Sequence, residues 1–412
     1  MSGAPACRFC GAPLTLTLVD LGTMPLANSY LTAAQLARPE PRYPLHARVC
    51  GTCRLVQVDA VVPPEHIFSD YAYFSSVATS WVEHARRFTV MARRRWRLGL
   101  ASKVVEVASN DGYLLRHFVA AGVPVLGIEP AANVAAEARA GGVPTEVAFF
   151  GRETAQRLHD EGVAADLMVA NNVLAHVPDI NDFVAGFAIL LKRNGVASFE
   201  FPHLLRLIEG VQFDTIYHEH FSYLSLLAVE RIFAAHGLRV FDVEELPTHG
   251  GSLRVMASRI DGRRRREGAG LRKVRADEAA AGLAQDDAYR GFARRVEGVR
   301  EDLLAFLREA KAVGRGVAAY GAAAKGNTLL NYCGIGPDLI AYAVDRSTHK
   351  QGLYLPGSHL PIFAPERLEE TRPDYVLILP WNLKTEILAG MSAVRRWGGR
   401  FVIAIPALAV LP

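Results

Sequence analysis

The sequence lacks the features that mark several common kinds of protein. No uninterrupted apolar run reaches the roughly 18 residues a membrane span needs. The opening stretch, MSGAPACRFCG, has no apolar signal-peptide core. A cytoplasmic chain with no membrane partner is therefore expected. Neither charge dominates: 46 Lys and Arg against 42 Asp and Glu leave a net +4, which gives no general drive toward nucleic acid. Cysteine is scarce, at five residues, and a reducing compartment argues against disulfides. What remains is a globular chain of 412 residues, half of them hydrophobic, long enough for two or three domains with sizeable cores.

Four of the five cysteines are paired as Cys7-x2-Cys10 and Cys50-x2-Cys53 among small turn residues. Two such knuckles supply four thiolates for a closed, tetrahedral, structural Zn²⁺ site. With every position taken by sulfur, this metal is not expected to do chemistry. The fifth, Cys333, reads as core.

The apolar run Val104–Val107 breaks into Ala108–Ser109–Asn110–Asp111–Gly112, and the apolar-periodic YLLRHFVAAG follows. This predicts a buried parallel strand containing Glu106, a tight loop, and a helix that starts in the loop. Eighteen residues after Asp111, a second apolar run ends at Glu129–Pro130. An acid there can accept hydrogen bonds from ribose hydroxyls. The loop lacks G-x-G-x-x-G and puts an acid where phosphates would sit, which favours a cationic, phosphate-free nucleoside such as S-adenosylmethionine. A third strand ends at Asn171–Asn172, with His176 just beyond, and belongs to the same rim. Later runs, GVASFEF, RVFDVEEL and GSLRVMAS, predict a doubly wound sheet with antiparallel additions.

Between these strands lies FDTIYHEHFSYLS. Tyr217, His218, Glu219, His220 and Tyr223 put five proton-handling groups into seven residues, a density that core packing does not require. The spacing is not H-E-x-x-H, so an acid–base site is preferred to a metal site. The charged stretch from Arg259 to Val313 predicts a solvated helix bridging two lobes.

Gly316 to Asn327 then opens a second strand–loop–helix unit through Tyr320 and Gly321. Its loop carries Lys325 and no acid, and is not a Walker loop. Backbone N–H groups plus Lys325 point to an anion such as a diphosphate. Asp345, Arg346 and Lys350 fall in the next rim loop.

Taken in order, the four-cysteine module, VVEVASNDGYLL, NNVLAHV, YHEHFSYLS, GGSLRV, AYGAAAKGNTLLNY, VDRSTHKQG and LPWNL resemble the deoxysugar C-methyltransferases of antibiotic biosynthesis over nearly the whole chain. The resemblance implies an α/β protein of three parts: a small zinc domain (1–65), a Rossmann-like class I methyltransferase domain (66–260), and a helical bridge with a second Rossmann-like domain (261–412). It implies S-adenosylmethionine as cofactor, held around Glu106, Ser109, Asn110, Asp111, Gly112, Glu129, Pro130, Asn171 and Asn172. It also implies a dTDP-linked 4-keto sugar between the last two domains, alkylated beside the ketone, in a monomer or weak homo-oligomer. By position, the family's catalytic cluster falls on Tyr71, His176, Tyr217, Glu219 and His220, with His220 as the base. Glu219 is expected to orient His220. On chemical grounds, Tyr320, Gly321, Lys325, Asn327, Asp345 and Lys350 form the substrate-side set.

Two other readings make different demands. An O- or N-methyltransferase acting on a small metabolite would leave the YHEH cluster in excess of need. A zinc-containing nucleic-acid binder would want a concentrated basic and aromatic surface that the balanced charge does not supply.

Overall fold

The computed structural model describes residues 5–59, 75–77 and 79–411. Tyr71 lies outside the described residues. Three sheets organise the chain. The first is antiparallel, with strands β1 (Leu16–Met24), β2 (Tyr43–Val49) and β3 (Val56–Val58). Its fourth strand, β9 (Ser222–Tyr223), comes from far along the chain and pairs with β3. The zinc module is thus not a free-standing unit, because the residues just after the histidine-rich turn complete its sheet.

The second sheet has seven strands: β4 (Val104–Val107), β5 (Val125–Ile128), β6 (Thr145–Glu146), β7 (Ala165–Asn171), β8 (Leu191–Pro202), β10 (Leu238–Leu246) and β11 (Ser252–Arg259). Their order is β10-β11-β8-β7-β4-β5-β6; β11 runs antiparallel to both its neighbours, and the other pairs are parallel. All four residues of β4 are buried. Val105 and Val107 enter one core and Val104 the other, so a strand covered on both faces reads as a continuous apolar run. Because β5 and β7 flank β4, the loop after β4 sits at the topological switch point, where open α/β sheets bind ligands.

The third sheet repeats the plan with β12 (Val317–Tyr320), β13 (Ala343–Val344), β14 (Ile362–Phe363), β15 (Tyr375–Ile378), β16 (Arg400–Ile403) and β17 (Ala409–Leu411), ordered β14-β13-β12-β15-β16-β17. Only β17 is antiparallel to its neighbour.

Two features of the linking region differ from expectation. Helix Ala269–Ala280 packs on the second sheet: Leu271 and Val274 enter its core, and Glu278, also buried, accepts from Leu226 N (2.6 Å) and Leu227 N (2.8 Å). Helix Phe292–Ala312 is not a solvated bridge. Phe292, Val296, Val299, Leu303, Leu307 and Ala310 form a buried stripe at three- and four-residue steps, the spacing of one helix face. That stripe joins a single core shared by the zinc module, residues 204–216 and the third sheet. Abundant charge on the other faces masks this amphipathic pattern in the sequence. Among the described residues no helix is long and apolar enough to cross a membrane.

Candidate active site

At the zinc module, the sulfurs of Cys7, Cys10, Cys50 and Cys53 all lie within 4.8 Å of one another. The pairs Cys7–Cys53 and Cys10–Cys50 are each 3.5 Å apart. Tetrahedral bonds of about 2.3 Å require sulfur separations of about 3.8 Å, so the four thiols fit zinc with only small adjustments. Gln57 donates to Cys7 Sγ (3.2 Å) and accepts from Arg8 N (2.9 Å), tying the knuckle to β3. Cys333 is buried, and burial pushes its thiol up to about 12, consistent with a core residue.

At the second sheet's switch point, Ala108, Asn110 and Gly112 adopt left-handed backbone, with φ of 53°, 50° and 74°. The Glu129 carboxylate accepts from Asn110 N (2.9 Å) and Ala131 N (3.0 Å), which locks this turn to the end of β5, next to Pro130. Gly127 is required here, because a side chain would place its Cβ 2.5 Å from Ser109 Oγ. Asn110 Oδ1 accepts from Ser75 N and Asp111 Oδ2 from Ser76 N. The rest of the pocket is rich in unsatisfied groups: Asp111 Oδ1, Asn171 Oδ1, Asn172 Oδ1, Ser109 Oγ and both oxygens of Glu106 are buried without a well-formed hydrogen bond. The Tyr113 hydroxyl approaches Glu106 and Asn171. Buried acceptors call for donors. S-adenosylmethionine offers an ammonium, ribose hydroxyls and an exocyclic amine, so the residues fit it. Burial and the neighbouring Glu129 hold the Glu106 carboxyl well above its ordinary range.

The histidine-rich turn lies between this lobe and the third-sheet lobe: Thr328 Oγ1 donates to Ile216 O (3.1 Å), and His220 packs on His176. Tyr217 OH and His220 Nε2 are 2.8 Å apart, and His220 Nδ1 sits 2.9 Å from Thr215 O. The carbonyl can only accept, so Nδ1 carries the proton and Nε2 accepts from the phenol. His176 packs edge-on against His220, with ring centroids 4.6 Å apart. Burial, with His176 beside it, holds His220 well below the ordinary histidine value, and burial brings His176 down to about 4. Both are neutral at neutral pH.

Glu219 has a different task from the one expected. Its Oε1 accepts from Asn28 Nδ2 of the zinc module (2.7 Å), and the Thr215 carbonyl, not this carboxylate, orients His220. Burial raises the Glu219 carboxyl.

The substrate-side set divides. Gly321 N and Ala322 N, in the loop ahead of the helix, donate to Val344 O (2.7 Å) and Asp345 Oδ2 (2.6 Å). Lys350 Nζ and Tyr30 OH both donate to Ala322 O. Asn327 Nδ2 donates to Ala27 O (2.6 Å), fastening the zinc module to the third-sheet lobe. Tyr320 is buried on the opposite side of its sheet from that shared core. Lys325 instead turns into the cleft, where Nζ donates to Asn382 Oδ1 (2.7 Å) and lies 4.8 Å from the Trp381 ring centre. Trp381 Nε1 in turn donates to the buried Asp214 (2.7 Å), whose carboxyl burial raises to about 6.

Comparison with known proteins agrees with this architecture. A zinc binding domain family matches residues 7–68, a methyltransferase domain family 82–243, and a C-methyltransferase C-terminal domain family 247–406. The C-methyltransferase NovU of Streptomyces niveus is 38% identical over 400 residues, covering 97% of this chain and 95% of that protein. The chain belongs to the C-methyltransferase family. It is a SAM-dependent C-methyltransferase with a four-cysteine zinc-binding domain, and transfer to carbon decides against the O- and N-methyl readings. Two solved methyltransferase structures match under half of the chain at low similarity. SAM-bound magnesium protoporphyrin IX methyltransferase (ChlM) of Synechocystis PCC 6803 has a TM-score of 0.33 at 16% identity, covering 44% of this chain and 78% of that one. The CcbJ methyltransferase of Streptomyces caelestis has a TM-score of 0.34 at 12% identity, covering 42% and 89%.

Within this C-methyltransferase, sequence reasoning missed Asp214, Trp381, Thr215 and His249. Asp214 stands three residues before Tyr217 and Trp381 lies in LPWNL, so both fall inside conspicuous motifs. Nothing local marks either one, because the two partners lie 167 positions apart.

Proposed function

We propose that this C-methyltransferase alkylates a dTDP-linked 4-keto deoxysugar at the carbon beside the ketone, C-3, through an enolate made by the histidine-rich turn. The observation that carries the reading is His220: a neutral imidazole with Nδ1 fixed by Thr215 O and Nε2 presented to the cleft beside Tyr217 OH. A sugar C–H is acidic enough to lose a proton only next to a carbonyl. His220 Nε2 takes that proton, and the C–H electron pair becomes the enolate C=C as the carbonyl pair moves onto oxygen. The Tyr217 hydroxyl, released from Nε2, turns to donate to that oxygen.

When bound, S-adenosylmethionine supplies an electrophilic methyl group on a sulfonium. That methyl would pass to the enolate carbon, with the C–S bonding pair staying on sulfur as the ketone re-forms. The balance is one methyl gained by the sugar and one proton released. Ser109, Asp111, Glu129, Asn171 and Asn172 hold the cofactor on this reading, and the nucleotide sugar enters between the second- and third-sheet lobes. A cytosolic setting suits four reduced thiolates.

The test is incubation with a panel of 4-keto dTDP-sugars and S-adenosylmethionine. The expected product is heavier by one methylene, with the new methyl on carbon, at C-3. A methyl on oxygen or nitrogen, or no product from any member of the panel, would contradict the reading.

A further inference from the structure

We propose that Lys325 and His249 join the Tyr217 hydroxyl in receiving the enolate oxygen, so that Lys325 is a catalytic residue and not a diphosphate ligand. The pair presupposes the enolate chemistry proposed above. Lys325 opens the helix Ala324–Cys333 and points into the cleft, held by Asn382 Oδ1 and the Trp381 ring. His249 approaches from the other wall, on the turn between β10 and β11. That turn is packed directly on Trp381: a Cβ on Gly250 would come within 2.5 Å of the Trp381 ring.

His249 itself takes a left-handed backbone, φ 55° and ψ 21°, ahead of two glycines at φ 89° and 118°. Such a conformation in a non-glycine residue persists where the surroundings impose it and concentrates at functional sites. The side chain is exposed, and it meets Trp81 edge-on at 5.6 Å. Trp81 stacks on Tyr113 at 6.1 Å, on the cofactor side of the lobe. His249 therefore lies between the methyl donor's wall and Lys325.

The electrostatics agree. His220 and His249 both feel the positive charge of Lys325, and His220 also feels His249. His249 offers an imidazole N–H donor in either protonation state. With His176 and His220 uncharged, Lys325 supplies the cation for the charge that develops on oxygen. Burial pushes the Lys325 ammonium down and the nearby Asp214 carboxylate, which also accepts from Trp381 Nε1, supports its charge.

The experiment measures deuterium wash-in beside the ketone of dTDP-4-keto-6-deoxyglucose in D2O, together with dTDP binding by calorimetry, for the full-length zinc-loaded protein. Lys325→Met should lower exchange at saturating sugar by about 10²- to 10³-fold while changing dTDP affinity less than about threefold. His249→Asn, at a solvent-open side chain whose left-handed backbone asparagine tolerates, should lower exchange about tenfold or more with dTDP affinity again unchanged. Exchange within about twofold of wild type in both variants, or a roughly tenfold loss of dTDP affinity in Lys325→Met with exchange intact, would overturn the assignment. Absence of exchange in the wild-type protein would instead remove the enolate reading and this pair with it.

Discussion

The second- and third-sheet lobes use one device in two ways. In each, an acid at or just beyond the end of the second strand accepts from a backbone N–H in the loop after the first: Glu129 from Asn110 N at 2.9 Å, and Asp345 from Ala322 N at 2.6 Å. Around the first loop, buried acceptors stay unsatisfied. Over the second, Tyr30 of the zinc module and Lys350 both bond Ala322 O. The first crevice is left open for a ligand, while the second is stoppered and its lobe becomes a wall that contributes Lys325 and Trp381 to the cleft. A shared topology therefore does not give a shared binding site.

The largest effect should come from His220. His220→Asn is expected to lower turnover by at least about 10³-fold and to leave S-adenosylmethionine binding intact by calorimetry. Loss of cofactor binding would move His220 to the other side of the comparison. Zinc removal should follow in size. Chelation, or Cys7→Ser, should lower the thermal midpoint and release the Asn28 and Tyr30 contacts, since four-thiolate sites contribute folding energy directly. An inactive variant with an unchanged midpoint would contradict a structural metal.

The two acids then separate the lobes. Glu129→Gln should weaken S-adenosylmethionine binding about 10- to 100-fold, or about 1.4–2.8 kcal/mol. Asp345→Asn should leave that affinity unchanged and lower the thermal midpoint by a few degrees. Equal losses of cofactor affinity would erase the distinction between open and stoppered crevices.

The smallest effect is in pH. His176 is held down to about 4 by burial, so the folded state keeps it neutral where the unfolded chain, near 6.5, takes up a proton. The unfolded state binds more protons below 6.5, and stability should fall as pH drops from 6.5 toward 4. Thermal melts across that range would check it.

Much of this is legible in the sequence for physical reasons. Paired C-x2-C knuckles carry their own geometry, and the buried strand β4 shows itself as an apolar run ending in a small-residue loop. The density of Tyr217 to His220 signals chemistry without any fold. Three things are not legible. Nothing near Lys325 in the sequence marks its partner Asn382, 57 positions away. Glu219 invites pairing with its neighbour in sequence, whereas its partner Asn28 is 191 positions away. The helix Phe292–Ala312 hides a regular apolar stripe under abundant charge.

Proton exchange uncoupled from methyl transfer tests the proposed base most directly. With S-adenosylhomocysteine in place of the methyl donor, wild-type protein in D2O should place deuterium beside the sugar ketone, and His220→Asn should reduce that rate to background. Equal exchange in the two proteins would show that the proton leaves by another route and that the histidine-rich turn is not the base.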